Sequence, residues 1–313
     1  MLGQFPPARH LIAHVSDPQL GRERLVYRGV DGDASLAATM AAVVAHKPDL
    51  IVMTGDVADT GDAEAYDRVA DLVLGPAGSV GAEVVWVMGN HDHRERFAAR
   101  LLDETTAPDE PLDRVHWLGG LRIVALDTTT PGYHDGRLEP QQLQWLADQL
   151  AEPAPEGTIL AMHHPPIPTH LPLMALIELG DQHLLAEVVR GTDVRGILAG
   201  HYHYSAHTTL AGIPVSVAPS TCYGIDAGFD PRAVRGVDDL RGFDLVHVHD
   251  DRIVHSTVHV KRDDAAWREV SGYPVEALAF VEDVPTADHR ETFARIGGLA
   301  DEFEAGVSDA TAP

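Results

Sequence analysis

One junction constrains this chain's fold more than any other. Val85-Trp86-Val87-Met88 is apolar throughout and runs straight into Gly89-Asn90-His91-Asp92, which has no apolar side chain. A short unbroken apolar run reads as a strand buried on both faces. Ending it in polar residues puts them at the carboxyl edge of a sheet, where open α/β sheets carry their sites. Glycine lets the backbone turn sharply there. Asn offers a neutral oxygen, and His a nitrogen or a proton.

The same junction recurs along the chain. His10-Leu11-Ile12-Ala13-His14-Val15 leads to Asp17 and Gln19, and Leu50-Ile51-Val52-Met53 leads to Asp56 and Asp59. Thr158-Ile159-Leu160-Ala161-Met162 leads to His163-His164-Pro165-Pro166, and Gly196-Ile197-Leu198-Ala199 leads to Gly200-His201-Tyr202-His203. Between the early strands the pattern predicts a helix over residues 34–45, capped by Asp33 and stopped by Pro48. A second is predicted from an Asp62 cap to residue 74, ended by Gly75-Pro76. This alternation predicts a βαβ layout. After a helix near residues 95–102, residues 115–118 and 121–126 flank Gly119-Gly120 and read as a hairpin opening a second sheet. Helices are expected over residues 140–150, with Pro140 in the first turn, and near residues 181–190. Strands are expected over residues 205–210, 213–217, 243–249 and 253–260.

Charge narrows the partners. With 48 acidic and 23 basic residues the net charge is -25, which argues against nucleic acid and anionic membranes as partners over a broad surface. A small phosphate ester stays open, because bound cations can dominate a local field. No apolar run approaches the roughly 20 residues that span a bilayer. Residues 1–8 lack a basic and then apolar leader, so a cytoplasmic protein is expected. The single cysteine, Cys222, excludes an intrachain disulfide and reads as an inert small residue. Arg22, Arg24 and Arg28 read as a solvated loop rather than a reception site for anions.

Carboxylate, amide and imidazole groups without thiolate suit manganese, iron, zinc or cobalt. About seven such candidates are too many for one open ion and suit two. Two ions some 3.5–4 Å apart clamp the attacking and leaving oxygens of an in-line phosphoryl displacement, with a bridging carboxylate and a bridging water that becomes hydroxide near neutral pH.

The ordered set Asp17-x-Gln19, Gly55-Asp56-x-x-Asp59, Gly89-Asn90-His91-Asp92, His163-His164-Pro165-Pro166 and Gly200-His201-x-His203 resembles the calcineurin-like metallophosphoesterase superfamily. Within it, the chain resembles the class III cyclic-nucleotide phosphodiesterases over residues 13–260. The resemblance implies an α/β fold, a four-layer αββα sandwich. It assigns Asp17, Gln19, Asp56 and His203 to one ion, and Asp56, Asn90, His163 and His201 to the other, with Asp56 shared. The cofactors it implies are two divalent or trivalent ions, iron and manganese first, with zinc, cobalt or magnesium as alternatives. His91 is the implied catalytic group, stabilising the phosphate or protonating the leaving alkoxide. Asn90, His91 and His134 are the implied substrate contacts. The implied substrate is a small phosphodiester, 3′,5′-cyclic AMP hydrolysed to 5′-AMP, and the implied assembly is a homodimer. The alternatives are a phosphodiesterase of broad specificity, taking 2′,3′-cyclic nucleotides or glycerophosphodiesters, and a non-catalytic scaffold of the same fold.

Gln19 departs from the family's usual His, and is expected to ligate through its amide oxygen. Asp59 reads either as a partner to the ligands or as a cap for the following turn. His164 is expected to pack or hydrogen-bond rather than ligate. His134 is either a substrate contact or a solvated loop residue. His247, His249, His255 and His259 are expected to line one exposed sheet face rather than form a second metal site. The domain is expected to span residues 1–262. Residues 263–313 form an acidic extension, with one helix around residues 289–303.

Overall fold

The structure is a computed structural model that describes residues 6–27 and 29–261. The extension over residues 263–313, its expected helix and Arg28 lie outside the described residues. In chain order the strands are β1 (His10–Val15), β2 (Leu25–Val26), β3 (Val30–Asp31), β4 (Leu50–Thr54), β5 (Glu83–Val87), β6 (Arg114–Leu118), β7 (Leu121–Leu126), β8 (Thr158–Met162), β9 (Val194–Ala199), β10 (Ala206–Leu210), β11 (Ile213–Val217), β12 (Gly224–Ile225), β13 (Gly236–Val237), β14 (Gly242–Val248) and β15 (Ile253–His259). The α-helices are α1 (Gly32–Ala45), α2 (Ala63–Val80), α3 (Arg94–Phe97), α4 (Pro140–Gln149) and α5 (Gln182–Val189).

Two mixed sheets carry the fold. One has the order β15-β14-β1-β4-β5, the other β10-β11-β9-β8-β7-β6. Strands β1, β4 and β5 are parallel, as are β7, β8, β9 and β11. The expected hairpin forms as β6 and β7, paired from Arg114↔Ala125 to Leu118↔Leu121.

Each central strand is buried on both faces, so its apolar residues sort by parity into two layers. Ala13, Val15, Ile51, Met53 and Trp86 pack against Leu36 and Met40 of α1 and Tyr66 and Val69 of α2. Ile12, Leu50, Val52, Val87, Ile123, Ile159 and Leu198 meet between the sheets. Val124, Leu160, Ile197 and Val217 pack against Leu146 of α4 and Leu185 of α5. Three apolar interlayers between two sheets and two helix pairs make the four-layer αββα sandwich.

Four expectations need correction. Helix α1 is capped by Asp31, whose carboxylate accepts from the Ala34 N–H at 3.0 Å, while Asp33 pairs with Arg68 at 3.0 Å. Helix α2 runs through Gly75-Pro76 to Val80, where Gly81 stops it at φ 77°. Pro76 removes one N–H from the helix, yet the turn beyond it buries Ala77 and so persists. Asp62 does sit at the N-cap of α2 without capping it, because its carboxylate accepts from the Thr60 hydroxyl at 2.6 Å instead. Nor do the late histidines share a face. Val246 pairs with His255 and His247 with Val254, so His247 and His249 point to one side of the sheet and His255 and His259 to the other.

Candidate metal centre

The carboxyl ends of β1, β4, β5, β8 and β9 converge, and each brings the polar residues expected of it. The backbone there is under strain. Of ten non-glycine residues with positive φ among the described residues, five are Asp17, Gln19, Asp56, His201 and His203. Such conformations cost of order 1 kcal/mol or more each and persist only where the surroundings impose them. Two glycines let these loops interlock. A Cβ on Gly89 would collide with the Asp56 backbone nitrogen and carboxylate, and one on Gly200 with Ser16 Oγ and the Thr54 carbonyl.

Three imidazoles are oriented alike. His163 Nδ1 donates to the Thr54 carbonyl at 2.8 Å, His201 Nε2 to the Ile177 carbonyl at 2.8 Å, and His203 Nδ1 to the Tyr223 carbonyl at 3.0 Å. A carbonyl only accepts, so the tautomer of each neutral ring is fixed and its other nitrogen presents a lone pair inward. His163 Nε2 then lies 3.1 Å from His201 Nδ1, 3.0 Å from Asn90 Oδ1 and 3.4 Å from Asp56 Oδ1. His203 Nε2 lies 3.5 Å from Asp17 Oδ1.

Something positive must sit among these acceptors. A proton on His163 is one answer: burial opposes it, but Asp56 and Asp17 outweigh burial and push the ring up to about 9. That proton can serve one of three acceptors, and it leaves Asp17 Oδ1 buried without a partner. Cations serve them all, so the donor set fits metal ions. Asp17 Oδ2 is meanwhile occupied by the Ser16 hydroxyl at 2.5 Å and the His201 N–H at 3.1 Å.

Gln19 is buried at the rim of this set, with Nε2 3.3 Å from Asp56 Oδ2 and Oε1 2.9 Å from the Tyr27 hydroxyl. His91 Nδ1 donates to the Asp59 carbonyl at 2.7 Å, and its Nε2 stands 4.0 Å from Asp56 Oδ2. Burial works against charge on His91, but Asp56 and the Asp59 carbonyl prevail and raise its pKa. His134 is exposed at the mouth, its Nδ1 2.9 Å from Asn90 Nδ2 and its ring 5.4 Å from that of His91.

His164 lies close enough to His163 and His201 to suggest a third ligand. Both of its nitrogens are already committed, one to Thr128 Oγ1 at 2.8 Å and one to the His134 carbonyl at 3.1 Å. Hydrogen bonding is therefore its role. Asp59 caps nothing: it accepts from the Tyr27 hydroxyl at 2.7 Å and holds His91 through its carbonyl. Cys222 is buried, and Arg24 pairs with Asp31 at the surface.

Two residues escaped the sequence reading. Asp92 accepts from the N–H groups of Val57, Ala58 and Gly89 and from the Tyr66 hydroxyl, at 2.9–3.1 Å, and so ties the β4 loop to the β5 loop. Its place at the end of Gly89-Asn90-His91-Asp92 was the available signal. Tyr27 reaches Gln19 and Asp59 from an irregular loop, and nothing in its neighbourhood announces that.

The chain is 47% identical over 257 residues, 82% of its length, to a Rhodococcus erythropolis protein named "Probable cyclic nucleotide phosphodiesterase", 85% of which is covered. It is 48% identical over 258 residues to a Mycobacterium tuberculosis protein named a cAMP/cGMP dual specificity phosphodiesterase, covering 82% of this chain and 81% of that one. Its fold is similar to that of a dimetal phosphatase from Danio rerio, with a TM-score of 0.59 and 16% identity over 81% of this chain and 97% of that one. Residues 10–205 match the calcineurin-like phosphoesterase family, and the chain belongs to it.

Proposed function

We propose that the protein is a metal-dependent phosphodiesterase that hydrolyses 3′,5′-cyclic nucleotides, cyclic AMP foremost, to the 5′-monophosphate. The observation that carries this is the inward turn of three carbonyl-anchored imidazoles toward one another and toward two buried carboxylates. The substrate reading rests on relatives 47–48% identical to this chain over 257 and 258 aligned residues.

In this reading Asp17, Gln19, Asp56 and His203 hold one ion, Asp56, Asn90, His163 and His201 hold a second, and the pair is iron and manganese. Ions bound there supply Lewis acidity, polarising the phosphoryl oxygens and acidifying water. The chain's own groups do the rest. Asp56 is oriented by the His91 N–H at 2.9 Å, which couples the shared carboxylate to the acid. His91 has Nδ1 committed to Asp59 and keeps a proton on Nε2, facing the site, for the departing 3′ oxygen. Asn90 and His134, hydrogen-bonded to each other, are the further substrate contacts in this reading. A cavity of about 600 Å³ lined by Tyr27, Tyr223 and Val237 adjoins the ligand set, and its aromatic walls suit a nucleobase. No helix among the described residues is long and apolar enough to cross a membrane. The reading takes the protein as a cytoplasmic homodimer, which light scattering tests.

The decisive experiment follows release of 5′-AMP from 3′,5′-cyclic AMP by purified protein with Mn²⁺. His91→Ala should lower kcat by about 10²–10⁴-fold. An unchanged rate removes His91 from the mechanism, and no hydrolysis of cyclic AMP by the wild type with any metal leaves the phosphodiesterase of other specificity and the scaffold.

A further inference from the structure

Tyr27 and Asp59 surround Gln19 with a hydrogen-bonding conflict that settles which end of its amide faces the metal centre. The Tyr27 hydroxyl lies 2.7 Å from Asp59 Oδ1 and 2.9 Å from Gln19 Oε1. A phenol hydroxyl has one proton to give, and a carboxylate and an amide oxygen both only accept. One proton cannot satisfy two acceptors. The carboxylate is the nearer and, being charged, the stronger claimant. The hydroxyl oxygen is then left as an acceptor facing Gln19, and what suits it there is an N–H.

Amide oxygen and nitrogen are assigned from the surrounding network. Exchanging the two ends gives Gln19 Nε2 to the Tyr27 oxygen and resolves the conflict. It also sets the amide oxygen where the nitrogen lies now, 3.3 Å from Asp56 Oδ2. Two oxygens that close, one of them on a buried carboxylate, repel unless a cation lies between them. The Asp59–Tyr27 pair therefore favours the amide orientation that only metal makes stable.

We propose that Tyr27, its single proton claimed by Asp59, is a positioning residue that turns the Gln19 amide oxygen inward and so lets glutamine serve as a metal ligand. This rests on the two-ion reading above and adds to it. Tyr27 touches no ion in this role, and the ring it offers the nucleobase cavity is kept in Tyr27→Phe. Asp59 acts one step further out, through the hydroxyl proton.

The test is metal binding, with Mn²⁺ alone, by calorimetry and by metal content after gel filtration. Wild type should bind two equivalents. Tyr27→Phe should weaken one of them by about 10–100-fold, the usual cost of losing a group that orients a ligand, and leave the other unchanged. Glutamate has oxygen at both ends and needs no orienting. In a Gln19→Glu background the Tyr27→Phe effect should therefore vanish, which a packing role for Tyr27 would not predict. Asp59→Ala, which releases the hydroxyl proton to Gln19 Oε1, should weaken the same equivalent. Two equivalents held by Tyr27→Phe with wild-type affinity overturn the proposal, as does an equal loss in the Gln19→Glu background. A wild type that binds fewer than two equivalents overturns the two-ion reading itself. Circular dichroism of each variant separates loss of ligation from loss of fold.

Discussion

Histidine and aspartate gather twice in this molecule, with opposite results. At the carboxyl ends of the parallel strands, His163, His201 and His203 each anchor one nitrogen on a backbone carbonyl; His163 aims the other at Asp56, His203 at Asp17 and His201 at His163. Toward the β15 and β10 edges of the two sheets, His14, His207 and His255 gather with Asp244, and nothing converges. There Asp244 accepts from the Thr257 hydroxyl at 2.6 Å and the Ser216 hydroxyl at 3.4 Å. His14 gives one nitrogen to Thr54 Oγ1 at 2.9 Å, and Nδ1 of both His14 and His255 has no partner. Among the described residues no group of three ligating His, Cys, Asp or Glu atoms closes up there, as it does at the strand ends. What fits a histidine to ligate is thus the acceptor behind it. An anchored ring must present a lone pair forward, whereas an unanchored one is free to choose.

The contrast can be broken by experiment. The largest effect is expected from Asp56→Ala, which removes the carboxylate proposed to be shared by the two ions. Hydrolysis should fall to the level of chelator-treated protein, and metal content toward zero. Metal content equal to that of the wild type would mean that Asp56 holds no ion. Next comes Asp92→Ala. It strands three N–H groups and one hydroxyl, each costing about 1–3 kcal/mol when buried and unpaired, so urea unfolding should register a loss of several kcal/mol. A loss under about 1 kcal/mol would show that the two loops hold together without it. The smallest effect belongs to the edge cluster. Burial, and then neighbouring imidazoles, pulls His14 down to about 3 and His255 to about 4. Both rings are neutral in the folded chain, while the unfolded chain takes up protons near 6.5. Their contribution is therefore complete above pH 6.5 and is lost as pH falls toward 4 and then 3. Each ring adds at most about 1.4 kcal/mol per pH unit to the slope. His255→Leu should flatten unfolding free energy between pH 6 and 4.5 without altering metal content. An unchanged slope would place the His255 ring in water.

Much of this arrangement was legible in the sequence because burial on both faces writes central strands as unbroken apolar runs. Val85-Trp86-Val87 and Ile159-Leu160-Ala161 announce themselves, and so do the polar residues that end them. Helix ends were harder. Asp31 and Asp33 are equally plausible caps by type, and only the chain's approach to α1 distinguishes them. Pro76 reads as a stop until one knows that Ala77 beyond it has a core to join. The four late histidines misled because the face of a strand residue depends on register with its partner, which is a fact of pairing and not of spacing. Tyr27 was invisible for a related reason, since its partners lie 8 and 32 positions away.

The interlocked glycines have a consequence for anyone who would rebuild this centre. Gly89 fits under Asp56 and Gly200 under Ser16 with no space to spare, so each loop is the mould in which its neighbour is cast. Transplanting one of them from a relative imports a shape made for someone else's counterpart. Donor segments would have to travel in pairs, 55–59 with 89–92 and 16–19 with 200–203, before any tuning of metal preference could begin.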